Sequence, residues 1–100
     1  GTMAVTGAEA MEGLRRYHFT KAFLGVNGVT VAQGFTTPDP EEAAVKSLAA
    51  ERAQTVYVLA DSSKFGQVTA AVMFPIEAAC VITDRLPDRR YRDYTDIREV

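Results

Sequence analysis

TVYVLADSSKFG, Thr55 to Gly66, joins a β-branched apolar run to one acid, two serines and one lysine. Val56, Val58, Leu59 and Ala60 predict a short strand covered on both faces, as in parallel sheets. The run stops at Asp61. In open α/β sheets ligands gather beyond the carboxyl ends of parallel strands, so Asp61, Ser62, Ser63 and Lys64 fall where binding chemistry is usually found. Lys64 brings a compact positive charge and the serines bring donors that suit phosphate oxygens. A polar strand-to-loop turn with a solvated lysine accounts for the same residues, and this segment alone leaves both readings open.

Upstream, TTPDPEEAAVKSLAAERA, residues 36–53, carries agreeing helix-start signals. Asp39 stands at the cap, Pro40 at the first helical position and Glu42 three residues after the cap, in the manner of a capping box. Ala44, Val45, Leu48, Ala49 and Ala53 fit one helical stripe. Lys21 to Val26 is apolar and bounded by Asn27-Gly28, which predicts a strand ending in a tight turn. Strand, helix and strand in this order favour a parallel sheet with a crossover connection. The expected fold class is therefore α/β, built on a βαβ unit.

Parallel strands place their carboxyl ends on one edge, so Asn27-Gly28 and Asp61 to Lys64 assemble into a two-part candidate site. Asn27 could bond sugar hydroxyls, and Gly28 could let a ligand approach the backbone. Asn-Gly is also ordinary turn chemistry. Glu42 could orient hydroxyls or act as a base, yet the capping box explains it without a ligand. Glu41 and Glu42 make this helix start acidic, so a phosphate must look to Lys64 instead.

The remaining segments read more plainly. Thr6 and Glu9 have the form of a capping box, and Ala8, Met11 and Leu14 recur at helical spacing up to about Tyr17. Val29 to Phe35 is apolar but broken by Gln33-Gly34, which suggests an irregular segment or an edge strand. QVTAAVMF, residues 67–74, fits helix and strand equally, and Pro75 ends it. Ala78 to Thr83 reads as a buried strand closing at Asp84, and Ile97 to Val100 as a last short strand.

Composition removes several function classes. One hundred residues, 47% hydrophobic, suffice for one small domain that buries roughly two thirds of its unfolded surface. A net charge of −2 offers no electrostatic footprint for nucleic acid or an anionic membrane. No apolar run approaches the roughly 20 residues of a membrane span, and no signal core is present, so a cytoplasmic location is expected. Cys80 is the only cysteine and His18 the only histidine. That excludes an internal disulfide and cysteine-based zinc; Cys80, flanked by Ala79 and Val81, is expected as a buried thiol, His18 in a packing or surface role. No catalytic triad, metal set or Gly-rich nucleotide loop can be ordered from these residues, so ligand binding without turnover or cofactor is the simpler expectation. Gly1, Thr2 and Met3 read as an expression-tag remnant, leaving residues 4–100 for the domain.

Three motifs, KAFLGVNGVTVAQGFTTPDPEEAAVK, VYVLADSSKFG and VITD, in this order and spacing, resemble the effector-sensing C-terminal domain of DeoR-family bacterial transcriptional repressors. The resemblance spans about Thr6 to Asp84. It implies a fold similar to part of ribose-5-phosphate isomerase and glucosamine-6-phosphate deaminase, and a role in sensing phosphorylated sugars. Lys64 in ADSSK matches the lysine of a similar Ala-Asp-x-Ser-Lys motif that helps the isomerases hold the substrate phosphate. Asn27-Gly28 falls where the deaminases carry Asp-Gly-His; Asn27 replaces the acid and Val29 the histidine, which speaks against deaminase chemistry. Glu42 falls near the isomerase carboxylate base.

The resemblance further implies that DNA is bound only through a winged helix-turn-helix outside these residues, and that the chain is part of a sensor domain that forms a homo-oligomer. The effector set expected from residues and resemblance together is Asn27, Gly28, Glu42, Asp61, Ser62, Ser63 and Lys64. Two rival expectations are a small sugar-phosphate aldose-ketose isomerase using Glu42 as base, and a module serving mainly oligomerisation.

Overall fold

The computed structural model describes residues 8–100. A helix, α1 (Ala8–Leu14), precedes β1 (Phe19–Gly25), β2 (Gly28–Thr30), β3 (Gly34–Thr37), α2 (Pro40–Glu51) and β4 (Ala53–Leu59). Then follow β5 (Ala71–Phe74), β6 (Cys80–Thr83) and β7 (Ile97–Glu99), with short 3₁₀ turns at Ser62–Lys64, Ile76–Ala78 and Arg89–Asp93. The Thr6 cap expected for α1 lies outside the described residues, and the helix ends at Leu14, short of Tyr17.

The βαβ unit forms as the pattern requires. Strand β1 runs parallel to β4, with Lys21 opposite Thr55 and Phe23 opposite Tyr57. Strands β6 and β7 continue the parallel sheet in the order β1-β4-β6-β7. The carboxyl ends of all four strands therefore share one edge. This mixed α/β architecture is the expected fold class.

Several finer expectations need correction. The stretch Val29 to Phe35 is in part the expected edge strand: β2 lies at the edge of a second, antiparallel sheet ordered β2-β3-β5, but the chain then folds back as a hairpin and Phe35 falls on β3, the middle strand. Val29 and Phe35 are both fully buried, and Phe35 packs its ring 5.2 Å from that of Phe74. Gly34 makes the reversal possible with φ of 74°, a conformation that L side chains rarely adopt. The ambiguous run 67–74 supplies β5, whose place beside β3 settles it as strand.

Helix α2 starts at Pro40 with Asp39 as cap, but not through a capping box. The Asp39 carboxylate accepts the Glu41 N–H at 2.9 Å, while Glu42 turns to Lys46, 3.1 Å away. The inward face is also rotated from the expected stripe: Ala43 is buried and Ala44 exposed. Ser47 shares the inward face, its hydroxyl donating to the Met73 carbonyl at 3.0 Å.

Strand β4 is covered on one face, not two. Val56 and Val58 join Val81 and Ile97 in the core with Val29, Phe35 and Ile76. On the other face Leu59 is 44% exposed, and so is much of Phe23 on the neighbouring strand. Cys80 lies on this second face too, so its thiol is half-buried instead of sealed in the core. His18 is exposed, with Nε2 3.1 Å from an Arg52 guanidinium nitrogen.

Candidate functional site

The site is built where β1, β4 and β6 end. After β4 the chain turns through Ser62–Lys64, and the Asp61 side chain caps that turn by accepting the Ser63 N–H at 2.9 Å. The Ser63 hydroxyl donates to the same carboxylate oxygen. These two hydrogen bonds from Ser63, helped by Lys64, hold the Asp61 carboxyl below its usual range. Asp61 is therefore a stable anion, with one oxygen engaged inside its own turn.

Ser62 is held from a different strand. Its N–H donates to Asp84 Oδ1 at 2.8 Å, and the Thr83 hydroxyl donates to the same oxygen at 3.3 Å. Asp84, one residue past β6, thus ties the lysine turn to the third strand end. In the sequence Asp84 only closes a strand, and its position at a third carboxyl end is the signal that marks it.

Lys64 itself is half-exposed, and its ammonium makes no ion pair within 4.0 Å among the described residues. Its backbone is nonetheless fixed. Phe65 is buried with its ring edge-on to Tyr91 at 5.0 Å, and the Gly66 N–H donates to the Val29 carbonyl at 2.8 Å. The Tyr91 hydroxyl donates to the same carbonyl at 3.2 Å. A free cation on an anchored loop can neutralise an anion without first breaking a protein contact.

Asn27 and Gly28 follow β1 on the same edge. Asn27 is exposed, and its side-chain oxygen accepts the hydroxyl of the fully buried Thr37 at 3.2 Å. That bond leaves the Asn27 amide nitrogen turned to other partners. Gly28 is buried, and a Cβ placed on it would run into the Gln67 carbonyl and the Thr36 hydroxyl. The close approach that Gly28 allows is that of the chain's own loop.

Glu42 sits on the first turn of α2, 45% exposed at its side chain, and is positioned by Lys46. The Lys46 ammonium donates to the Gly25 carbonyl at 2.8 Å with its side chain only 22% exposed, so it joins α2 to the end of β1. Lys46 thus reaches the last residue of β1, two positions before Asn27, and Glu42 is paired with it. Lys46 was not singled out from sequence, because an i, i+4 acid and base pair on a helix is usually a solvated surface pair. A separate cavity of about 350 Å³, lined by Ser47, Ala50, Val56, Met73 and Phe74, opens beside α2 and contains none of these polar groups.

Asp61, Ser62, Ser63 and Lys64 after β4 and Asn27 after β1 thus stand at the carboxyl ends of neighbouring parallel strands. Among the described residues no group of three or more His, Cys, Asp or Glu is placed to hold a metal ion. No helix there is long and apolar enough to cross a membrane.

A family model for the DeoR C terminal sensor domain matches residues 1–85. The HTH-type transcriptional regulator FruR of Bacillus subtilis is 40% identical over 95 residues, covering 95% of this chain and 38% of that protein. The HTH-type transcriptional regulator IolR of the same organism is 32% identical over 100 residues, covering 99% of this chain and 40% of that protein. The HTH-type transcriptional repressor GlcR, also from Bacillus subtilis, is 35% identical over 91 residues, covering 90% and 35%. The chain therefore spans about two fifths of the length of the relatives it matches. They are named as transcriptional regulators, not enzymes, in line with the expectation of binding without turnover.

Proposed function

The chain belongs to the DeoR C-terminal sensor domain family, and from that premise we propose that it is the sugar-phosphate-sensing part of a cytoplasmic DeoR-type transcriptional repressor. Lys64, with Ser62 and Ser63, neutralises the phosphate. Asn27, Asp61 and Glu42 bond the sugar hydroxyls, and Gly28 keeps the loop at Gln67 close beneath them. The observation that carries this reading is the unpaired Lys64 ammonium on a loop anchored at Phe65 and Gly66, at the carboxyl edge of a parallel sheet.

In the complete regulator, a homo-oligomer, DNA is gripped by a winged helix-turn-helix elsewhere in the chain. A ligand changes repression only through its differential affinity for the sensor arrangements that favour and disfavour DNA engagement. Here the sensor supplies that differential affinity.

The test is a thermal-shift panel of phosphorylated sugars and their unphosphorylated counterparts. A phosphorylated sugar is expected to raise the Tm, its counterpart not, and Lys64→Ala should abolish the shift. A shift untouched in Lys64→Ala would remove the phosphate assignment. Isomerase turnover that vanishes in Glu42→Gln would replace sensing by catalysis.

A further inference from the structure

The 3₁₀ turn Arg89–Asp93 and strand β7 lie beyond residue 85, where the family match ends, yet they return to the loop that follows Lys64. Tyr91 makes the contact. Its ring stands edge-on to Phe65, the residue after Lys64, with centroids 5.0 Å apart. Its hydroxyl donates to the Val29 carbonyl at 3.2 Å, the acceptor that the Gly66 N–H also uses at 2.8 Å. The two residues after Lys64 are thus tied to one tyrosine, Phe65 by packing and Gly66 through a shared acceptor.

On the reading that Lys64 anchors a phosphate, we propose that Tyr91 is a positioning residue for effector binding: it holds the loop so that the ammonium meets the phosphate without the backbone first having to order. A loop already held in its bound form loses less entropy on binding, and so binds more tightly.

The tyrosine is itself fixed on both sides. Before it, the Asp88 carboxylate caps the turn by accepting the Arg90 N–H at 3.0 Å. After it, the Arg92 guanidinium donates to the Ile97 carbonyl at 2.7 Å and to Glu99 at 3.1 Å, which ties the turn to β7. The Tyr94 and Thr95 N–H groups both close on the Tyr91 carbonyl, at 3.1 and 3.3 Å. Burial and then the charge of Asp88 hold the phenol above its usual pKa, so it keeps the proton that the Val29 carbonyl accepts.

Reciprocity separates positioning from mere packing. If Tyr91 tightens binding at Lys64, a ligand there must stabilise the Tyr91 contact by the same factor. A tyrosine that only packs changes stability and leaves affinity alone.

The test titrates inorganic phosphate and glucose 6-phosphate into the chain, with affinity read from amide resonances and with hydrogen exchange measured in both states. Tyr91→Phe removes the hydroxyl and keeps the ring, so the variant should fold, which circular dichroism checks. It should raise the dissociation constant about two- to fivefold, up to the whole worth of one hydrogen bond. Bound ligand should slow exchange of the Tyr94 and Thr95 amides in the wild type, and less so in Tyr91→Phe. If Tyr91→Phe binds as tightly as the wild type, or if ligand leaves exchange at Tyr94 and Thr95 unchanged, the proposal falls while Lys64 keeps its phosphate. Binding that survives Lys64→Ala, or a wild type that binds neither probe, removes the phosphate assignment itself and the role of Tyr91 with it.

Discussion

The Asp84 carboxylate accepts the backbone N–H of Ser62 at 2.8 Å, although the two residues end different strands. This bond, with the Asp61 cap on Ser63, sets the orientation of the turn that carries Lys64. Strands β4 and β6 are held in parallel register up to Leu59 and Ile82, so both ends of the bond come from rigid elements.

Asp84→Ala should therefore loosen the lysine turn more than it lowers overall stability. Asp84 accepts two hydrogen bonds, from the Ser62 N–H and the Thr83 hydroxyl, and at an exposed carboxylate their loss should cost about 1–2 kcal/mol. Urea denaturation should show a loss of that size, and hydrogen exchange should show the Ser62 amide losing protection. A Ser62 amide that exchanges at the wild-type rate would contradict the assignment.

Gly28→Ala and Gly25→Ala make a matched pair on either side of the β1–β2 connection. A Cβ on Gly28 meets the Gln67 backbone carbonyl and the Thr36 hydroxyl, whereas a Cβ on Gly25 meets nothing within 4 Å. Overpacking against backbone typically costs about 1–3 kcal/mol, so Gly28→Ala should destabilise by that amount. Gly25→Ala should stay within about 0.5 kcal/mol of the wild type. Equal losses in the two variants, measured by chemical denaturation, would show that the Gln67 loop yields freely.

The hairpin β2–β3 rests on one aromatic ring. Phe35 is fully buried and packs against Phe74 from β5, which joins the antiparallel sheet to the core. Phe35→Ala should cost about 3–5 kcal/mol. That is a large share of the roughly 5–15 kcal/mol that holds a domain folded. Thermal denaturation followed by circular dichroism should show a strongly lowered Tm for this variant and a smaller loss for Phe35→Leu; equal Tm values for Phe35→Ala and the wild type would contradict the packing.

The βαβ unit was legible because its signals agree locally: Asp39 and Pro40 mark the helix start, and the run at Val56–Ala60 marks a strand. What escaped depends on partners far away in the chain. Val29–Phe35 is apolar and interrupted, so only its pairing with residues 71–74 reveals the hairpin. The inward side of α2 was misplaced by one residue because Ala43, Ala44, Ala49 and Ala50 differ in nothing but position. At the candidate site, Asp61 to Lys64 could be read from one strand end. Asp84 and Lys46 could not, since their partners Ser62 and Gly25 lie 22 and 21 residues away.

Asp88 gives the chain an acid-sensitive contact. Its carboxylate caps the 3₁₀ turn through the Arg90 N–H at 3.0 Å and receives the Arg90 guanidinium at 2.7 Å. Hydrogen bonds from the Arg90 side chain and then its backbone lower its pKa to about 2. An unfolded aspartate titrates near 3.9, so the folded value is the depressed one. The contact's stabilisation is thus fully present above about pH 4 and is lost as pH falls through about 2. Asp88→Asn should remove that dependence: the variant should be less stable than the wild type at pH 6, and the difference should shrink as pH drops below 4. The contact also holds the turn that carries Tyr91, whose hydroxyl donates to Val29 beside the lysine loop. Resonances of Phe65 and Gly66 should therefore shift in Asp88→Asn at pH 6, and acidification of the wild type to pH 2 should move them in the same direction. A carboxyl carbon titration placing Asp88 near 3.9 in the folded chain would rule out the pairing in solution.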